Sequence, residues 1–298
     1  MGAGKPPGPA GTVPPCIRTP INREAPMTLP QSLLEFRRAH PPTRMRVHGA
    51  WWEVIDSGTG QDRGASSPRE CMLLLPGTLG TGEIFWQQFQ ALGGKMRMVA
   101  LTYPAVPSAE RYADGAAAIL KRLELKGAHV LGSSLGGFTA QLMALRHPGL
   151  VQRLFVCNSL ISRIPSPTPP EALRAQGARA MHAARLARLD GWPESDEGLR
   201  LAKTVIAEQG WRMISPRHLK ARVLALQEAT PIPPLPLDDA RIVTVECDDD
   251  PIIPPPVRAE VRARYPGASQ HRLPSGGHFP YISRASDFTA ILRTELGL

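Results

Sequence analysis

The chain has 298 residues, of which 42% are hydrophobic and 20% charged, a balance that is ordinary for a globular protein with one large or two small domains. No apolar run approaches the roughly 18 to 20 residues that span a bilayer, and the start of the chain lacks the apolar core of a secretory signal, so a cytoplasmic location is expected. The formal net charge is +9, but no basic run with interleaved aromatics accompanies it, and nucleic-acid binding is therefore not expected.

Residues 1–42 are predicted to form a disordered tail, because Pro and Gly are frequent in the first 30 residues and apolar periodicity is nearly absent. Residues 32–38 are compatible with a short helix that Pro41 and Pro42 end. Met27 stands as an alternative to Met1 for the start of translation. Residues 43–298 are predicted to form one domain.

Strands and helices alternate through most of that domain. Two strands at 44–47 and 51–56 are close enough to form a hairpin. Further strands are predicted at 71–75, 96–103, 128–131, 151–157, 241–246 and 270–273, and helices at 84–92, 108–125, 255–265 and 288–296. The connections are too long for hairpins, so the sequence predicts an α/β fold with a doubly wound, mostly parallel sheet.

A Pro-rich and helical segment interrupts this alternation at about 160–237 and is predicted to be a lid insertion over the site. Four arginines lie in its first helical stretch, at 174, 179, 185 and 188. Contact with an anionic substrate is one interpretation, and a solvated helix face is the favoured one. Two tryptophans, Trp192 and Trp211, are interpreted as packing residues of this insertion.

The strongest motif lies between His129 and His147. Apolar residues typical of a strand lead into Gly132-Ser133-Ser134-Leu135-Gly136, and a helical pattern follows at once. In such a turn the serine occupies a strained apex, and the glycines on either side avoid collisions with neighbouring backbone. The pattern predicts a nucleophile elbow, with the Ser134 hydroxyl at the carboxyl edge of the sheet.

A serine hydroxyl needs a base, and the base needs a third group that orients it. The chain supplies candidates in the order expected of this architecture, serine, acid and histidine. Asp250 is the predicted acid because it lies on the loop after the strand at 241–246, just before the chain turns into residues 251–254, with Asp248 and Asp249 as alternatives. His278 is the predicted base, since the two glycines before it let its loop approach the elbow.

The tetrahedral anion of such a reaction needs backbone N–H donors. One is assigned to Leu135, the residue after the nucleophile. The other is assigned to Thr78, in the loop after the first buried strand, with Leu79 as the alternative.

With these residues in place, the chain resembles an α/β hydrolase from about residue 43 to its end. Within that superfamily, the sequences at 103–104, 132–137, 157–159 and 276–281 are similar to the maspardin-like branch. The resemblance implies an α/β-hydrolase fold. Members of that branch are linked to protein binding and need not keep a full triad, so the resemblance also implies a role in protein binding. Animal members carry asparagine at the position of His278, so the histidine found here favours catalysis.

The expected function is that of a serine hydrolase that cleaves small-molecule carboxylic esters or thioesters through an acyl-enzyme. A non-catalytic binding module with a protein or ligand partner is the alternative, and C–C bond hydrolysis or perhydrolysis by the same triad would change only the substrate. No cofactor or metal is expected, because the sequence contains no phosphate-binding loop or haem motif and its cysteines show no metal or disulfide spacing (Cys16, Cys71, Cys157 and Cys247).

Overall fold

The computed structural model describes Met1 and residues 28–58, 70–164 and 168–298. Eight strands occur in the described residues: β1 (Thr43–Val47), β2 (Ala50–Asp56), β3 (Cys71–Leu75), β4 (Arg97–Thr102), β5 (Ala128–Ser133), β6 (Val151–Cys157), β7 (Ile242–Cys247) and β8 (Ser269–Leu273). They form one sheet in the order β1-β2-β4-β3-β5-β6-β7-β8. The β1–β2 and β2–β4 pairs are antiparallel and the other pairs are parallel. The predicted doubly wound, mostly parallel sheet is confirmed.

His48 and Gly49 form the turn of the hairpin between β1 and β2, and their φ angles are 48° and 77°. A two-residue turn with positive φ at both positions matches the right-handed twist of the strands that it joins. The predicted hairpin is therefore present, and it extends one side of the parallel sheet.

The central strands are apolar almost throughout because both faces of the sheet are covered. Successive residues of β3 alternate between two hydrophobic layers, with Leu73 and Leu75 in one and Met72 and Leu74 in the other. Helices α3 (Ala109–Arg122), α4 (Leu135–Arg146) and α9 (Pro255–Arg264) cover the first face. Helices α1 (Gln31–Ala39), α2 (Trp86–Leu92) and α11 (Ala285–Leu296) cover the second.

Helix α1 corrects the predicted extent of the disordered tail. Leu33 and Phe36 are buried against the second face. The guanidinium of Arg37 donates to the carboxylates of Glu83 and Glu208. The prediction of a tail over residues 1–42 is therefore wrong for α1, because two apolar side chains one helical turn apart and an ion pair hold it to the domain. Residues 2–27 of the predicted tail lie outside the described residues.

The insertion at 160–237 contains helices α5 (Pro170–Ala175), α6 (Ala178–Ala187), α7 (Glu197–Glu208) and α8 (Pro216–Gln227). The predicted first helical stretch of the insertion is divided at Gln176 and Gly177, where the backbone is extended. Trp192 and Trp211 pack against other rings, Phe279 and His182 respectively. Within the part of the chain that the structure describes, no helix is long and apolar enough to cross a membrane.

Candidate active site

Ser134 lies at the junction of β5 and α4, with φ of 55° and ψ of −121°. This is a strained conformation for a residue with a side chain. The two flanking glycines of the motif explain how the backbone reaches it. A Cβ atom on Gly132 would lie 2.0 Å from the carbonyl oxygen of Gly136, and one on Gly136 would lie 1.9 Å from that of Leu75. Both positions exclude any larger residue, which is the geometry expected of a nucleophile elbow.

His278 and Asp250 form a buried pair beside the elbow. Asp250 follows β7, and His278 lies between β8 and a short helix, α10 (Pro280–Ser283). Nδ1 of His278 lies 2.8 Å from Oδ2 of Asp250, and the two side chains are 3% and 0% exposed. Oδ1 of Asp250 accepts from the backbone N–H groups of Ile252 and Ile253, at 2.7 and 3.1 Å. Both carboxylate oxygens therefore have partners, and the imidazole is held through one nitrogen.

The other two aspartates of the run take different positions. Asp249 accepts from the backbone N–H groups of Gly276 and Gly277, at 3.2 and 2.8 Å, and so holds the loop that carries His278. Asp248 is half exposed and pairs with Arg272, which lowers the pKa of its carboxyl. Of the three aspartates, only Asp250 contacts the imidazole.

The loop that carries Thr78 lies directly against the elbow. A Cβ atom on Gly77 would lie 3.2 Å from Cβ and 3.8 Å from Oγ of Ser134. Arg222 of α8 donates from Nη1 to the carbonyl oxygens of Thr78 and Gly80, at 3.2 and 2.7 Å. An insertion helix thereby anchors this loop from behind. The backbone N–H of Leu135 stands in the first turn of α4, where a helix offers no partner of its own.

Asn158, at the end of β6, joins the segments that carry the acid and the base. Its Nδ2 donates to the carbonyl oxygen of Gly277 at 2.8 Å, and its Oδ1 accepts from the backbone N–H of Cys247 at 3.0 Å. The next residue, Ser159, donates from its hydroxyl to the carbonyl oxygen of Ser134 at 2.7 Å. In the sequence these two residues entered only through the resemblance at 157–159, and no role in the site was predicted for them. The signal that could have found them was their place at the carboxyl end of a central strand.

Ser134 and His278 open onto one cavity of about 120 Å³. Thr78 and Leu79, the two candidates for the second oxyanion donor, line it too. Most other wall residues are apolar and come from the insertion and from the loop after Asp250 (Ile164, Leu219, Val223, Leu226, Ile252 and Ile253). Of the predicted site residues, Thr78, Ser134 and His278 therefore line the cavity. Asp250 contacts the imidazole of His278 and does not line the cavity, and Leu135 follows Ser134 at the start of α4 without lining it.

Three cysteines lie within the described residues, Cys71, Cys157 and Cys247, and all are buried free thiols. Burial raises the pKa of Cys71 and of Cys247 to about 12, so these thiols stay protonated at neutral pH. Within residues 28–58, 70–164 and 168–298, no three acidic, cysteine or histidine side chains converge in a way that could hold a metal ion.

The model of a family described as "Alpha/beta hydrolase family" matches residues 47–291. Maspardin of Danio rerio is 26% identical over 242 residues, which cover 79% of this chain and 76% of maspardin. The fold is similar to that of an enol-lactonase from Burkholderia xenovorans LB400, with a TM-score of 0.70, 20% identity, and coverage of 86% of this chain and 100% of the lactonase. A thermophilic esterase from Thermogutta terrifontis has a TM-score of 0.66 and 19% identity, with coverage of 86% and 97%.

Proposed function

The chain belongs to the alpha/beta hydrolase family, and from this premise we propose that it is a serine hydrolase that cleaves carboxylic ester or thioester bonds through an acyl-enzyme. The observation that carries the proposal is the buried His278–Asp250 hydrogen bond, beside the same cavity that Ser134 lines. A strained serine and an oriented imidazole that line one cavity form an arrangement that a purely structural role would not require.

In the proposed reaction Ser134 Oγ attacks the carbonyl carbon of the ester, and His278 takes the hydroxyl proton. Asp250 holds Nδ1 of the imidazole, so Nε2 is the nitrogen that accepts this proton. The backbone N–H groups of Thr78 and Leu135 stabilise the tetrahedral anion, and its collapse expels the alcohol or thiol with the proton from His278. A water molecule that His278 deprotonates then attacks the acyl carbon. Collapse of the second tetrahedral anion breaks the bond to Ser134 Oγ, which takes the proton back from His278, and the acid is released.

A non-catalytic binding module is the second candidate, because the chain is similar to maspardin over most of its length. In that case the apolar cavity would hold a ligand or a segment of a partner protein without turnover. The retained pair of His278 and Asp250 favours catalysis, since a binding cleft has no need of a buried imidazole held by a carboxylate.

A fluorophosphonate probe distinguishes the two candidates, because it phosphonylates only an activated serine. We expect intact-mass labelling of the wild type and of Ser133→Ala, the matched control at the neighbouring serine, but none of Ser134→Ala. Labelling of His278→Asn should slow by at least about 100-fold, the usual contribution of a general base. A wild type that reacts no faster than Ser134→Ala would exclude the enzyme and leave the binding module. A panel of esters and thioesters of increasing acyl length then defines the reaction type.

A further inference from the structure

Arg185 is a cation in the wall of the proposed active-site cavity, and it has no ion-pair partner among the described residues. Arg185 lies in the last turn of α6 and contributes to the same cavity wall as Ser134 and His278. No hydrogen bond or ion pair joins its guanidinium to any residue that the structure describes, and the described cavity wall contains no aspartate or glutamate. A charge in an apolar and partly dehydrated setting is costly unless an anion or a set of acceptors meets it.

The other arginines of this segment do not share that setting. Arg174 is exposed and forms an ion pair with Glu228, with 2.6 Å between Nε and Oε1. Arg179 and Arg188 are exposed, and neither lines the cavity. The favoured sequence interpretation, a solvated helix face, therefore fits those three arginines and fails for Arg185.

The electrostatic surroundings of Arg185 agree with an anion-binding role. Burial and the nearby charge of Arg188 both lower the pKa of Arg185 from its ordinary value, which means that the site is short of negative charge. Arginine nevertheless stays protonated in proteins, so the charge persists at neutral pH. A carboxylate that enters the cavity would satisfy the guanidinium through two parallel hydrogen bonds.

We propose that the substrate carries a carboxylate, which Arg185 binds while the ester or thioester carbonyl lies at Ser134. This inference rests on the proposed hydrolase function. Since the other walls are mostly apolar and the cavity is small, the group between the carboxylate and the reacting carbonyl is a short hydrocarbon. Arg185 is then a specificity residue that selects monoesters of dicarboxylic acids, or hydroxy acids acylated on the hydroxyl group, over neutral esters.

Two substrate pairs test this, each differing by a carboxylate in place of a methyl group. 4-Nitrophenyl hemisuccinate and 4-nitrophenyl butyrate vary the acyl side, and 4-acetoxybenzoate and 4-methylphenyl acetate vary the alcohol side. We expect wild type to prefer the anionic member of one pair, with a ratio of kcat/KM values that falls about 10- to 100-fold in Arg185→Gln, the usual loss of a charged hydrogen bond. Arg179→Gln, on the same helix but outside the cavity, should keep the wild-type ratio.

A wild type without preference in either pair, or a preference that survives in Arg185→Gln, would overturn the inference. A measurement of ligand binding distinguishes failure of the carboxylate proposal from failure of the proposed hydrolase function, because binding does not require turnover. In the Ser134→Ala background, saturation-transfer NMR should show tighter binding of the anionic member in one of two pairs, monomethyl succinate against methyl butyrate or 4-acetoxybenzoate against 4-methylphenyl acetate. Arg185→Gln should abolish the difference. If the fluorophosphonate labels Ser134 but the anionic and neutral ligands bind equally well, only the proposal of a substrate carboxylate is refuted. If the anionic ligand binds more tightly but Ser134 is not labelled, only the proposal of a hydrolase is refuted.

Discussion

Replacement of Asp250 by asparagine tests the proposed triad most directly, because the change keeps the shape of the side chain and alters only its hydrogen-bonding capacity. In the native site, Oδ2 faces Nδ1 of His278, and Oδ1 accepts from two backbone N–H groups, of Ile252 and Ile253. An asparagine has one oxygen and one NH₂ group for these two sets of partners.

Neither orientation of that amide preserves the native arrangement. With its oxygen toward the backbone donors, the NH₂ group faces Nδ1 of His278 and forces the proton onto Nε2, where it blocks acceptance of the Ser134 proton. With its oxygen toward His278, the NH₂ group meets two backbone donors and leaves both of them unsatisfied. We expect the first orientation, with kcat lowered by roughly 10³- to 10⁴-fold, or about 4 to 5 kcal/mol of transition-state stabilisation.

The assay is the steady-state kcat of each variant with a 4-nitrophenyl ester, together with the rate of fluorophosphonate labelling. Asp249→Asn and Asp248→Asn are matched controls from the same run. Asp249→Asn keeps one acceptor for the loop that carries His278, and its kcat should fall by less than about tenfold. Asp248→Asn breaks only an exposed ion pair, and its kcat should remain almost unchanged. An Asp250→Asn variant that retains a tenth of wild-type kcat, or a control as inactive as Asp250→Asn, would refute the triad assignment.

Two further replacements test the groups that position the site. Asn158→Ala should destabilise the fold by about 2 to 4 kcal/mol in urea denaturation, because the carbonyl of Gly277 and the N–H of Cys247 both lose a buried partner; a loss below about 0.5 kcal/mol would contradict that role. Arg222→Met should lower kcat about tenfold with little change in KM, because the loop of Thr78 loses its anchor; unaltered kcat would show that the loop is held without it.

The sequence alone was enough to predict the turn that carries Ser134 and the sheet around it. The elbow depends on atoms within a few residues of one another, so its requirement for glycine at 132 and 136 is written in the local sequence. The parallel sheet follows from short apolar runs that recur between helices, since strands covered on both faces need apolar side chains at every position. The order of Ser134, Asp250 and His278 along the chain follows from the same architecture.

Only the tertiary structure could show which of the three consecutive aspartates contacts His278. Local propensity treats Asp248, Asp249 and Asp250 alike, because each is compatible with a turn after a strand. Their roles differ through the path of the loop before His278, which brings two N–H groups to Asp249 and an imidazole to Asp250. Nothing in the local sequence encodes that path.

Local sequence pattern also fails to show which arginine of the insertion lines the cavity. Arg174, Arg179, Arg185 and Arg188 look equivalent in sequence, and helical periodicity alone favours a solvated face for all of them. The break at residues 176–177 divides the helix, and the packing of α6 against α8 then brings one arginine to the cavity wall. The sequence determined that a serine would stand at the carboxyl edge of the sheet. Only the tertiary structure decided which arginine lines the same cavity as that serine, because contacts between segments distant in the chain depend on how helices pack and not on local pattern.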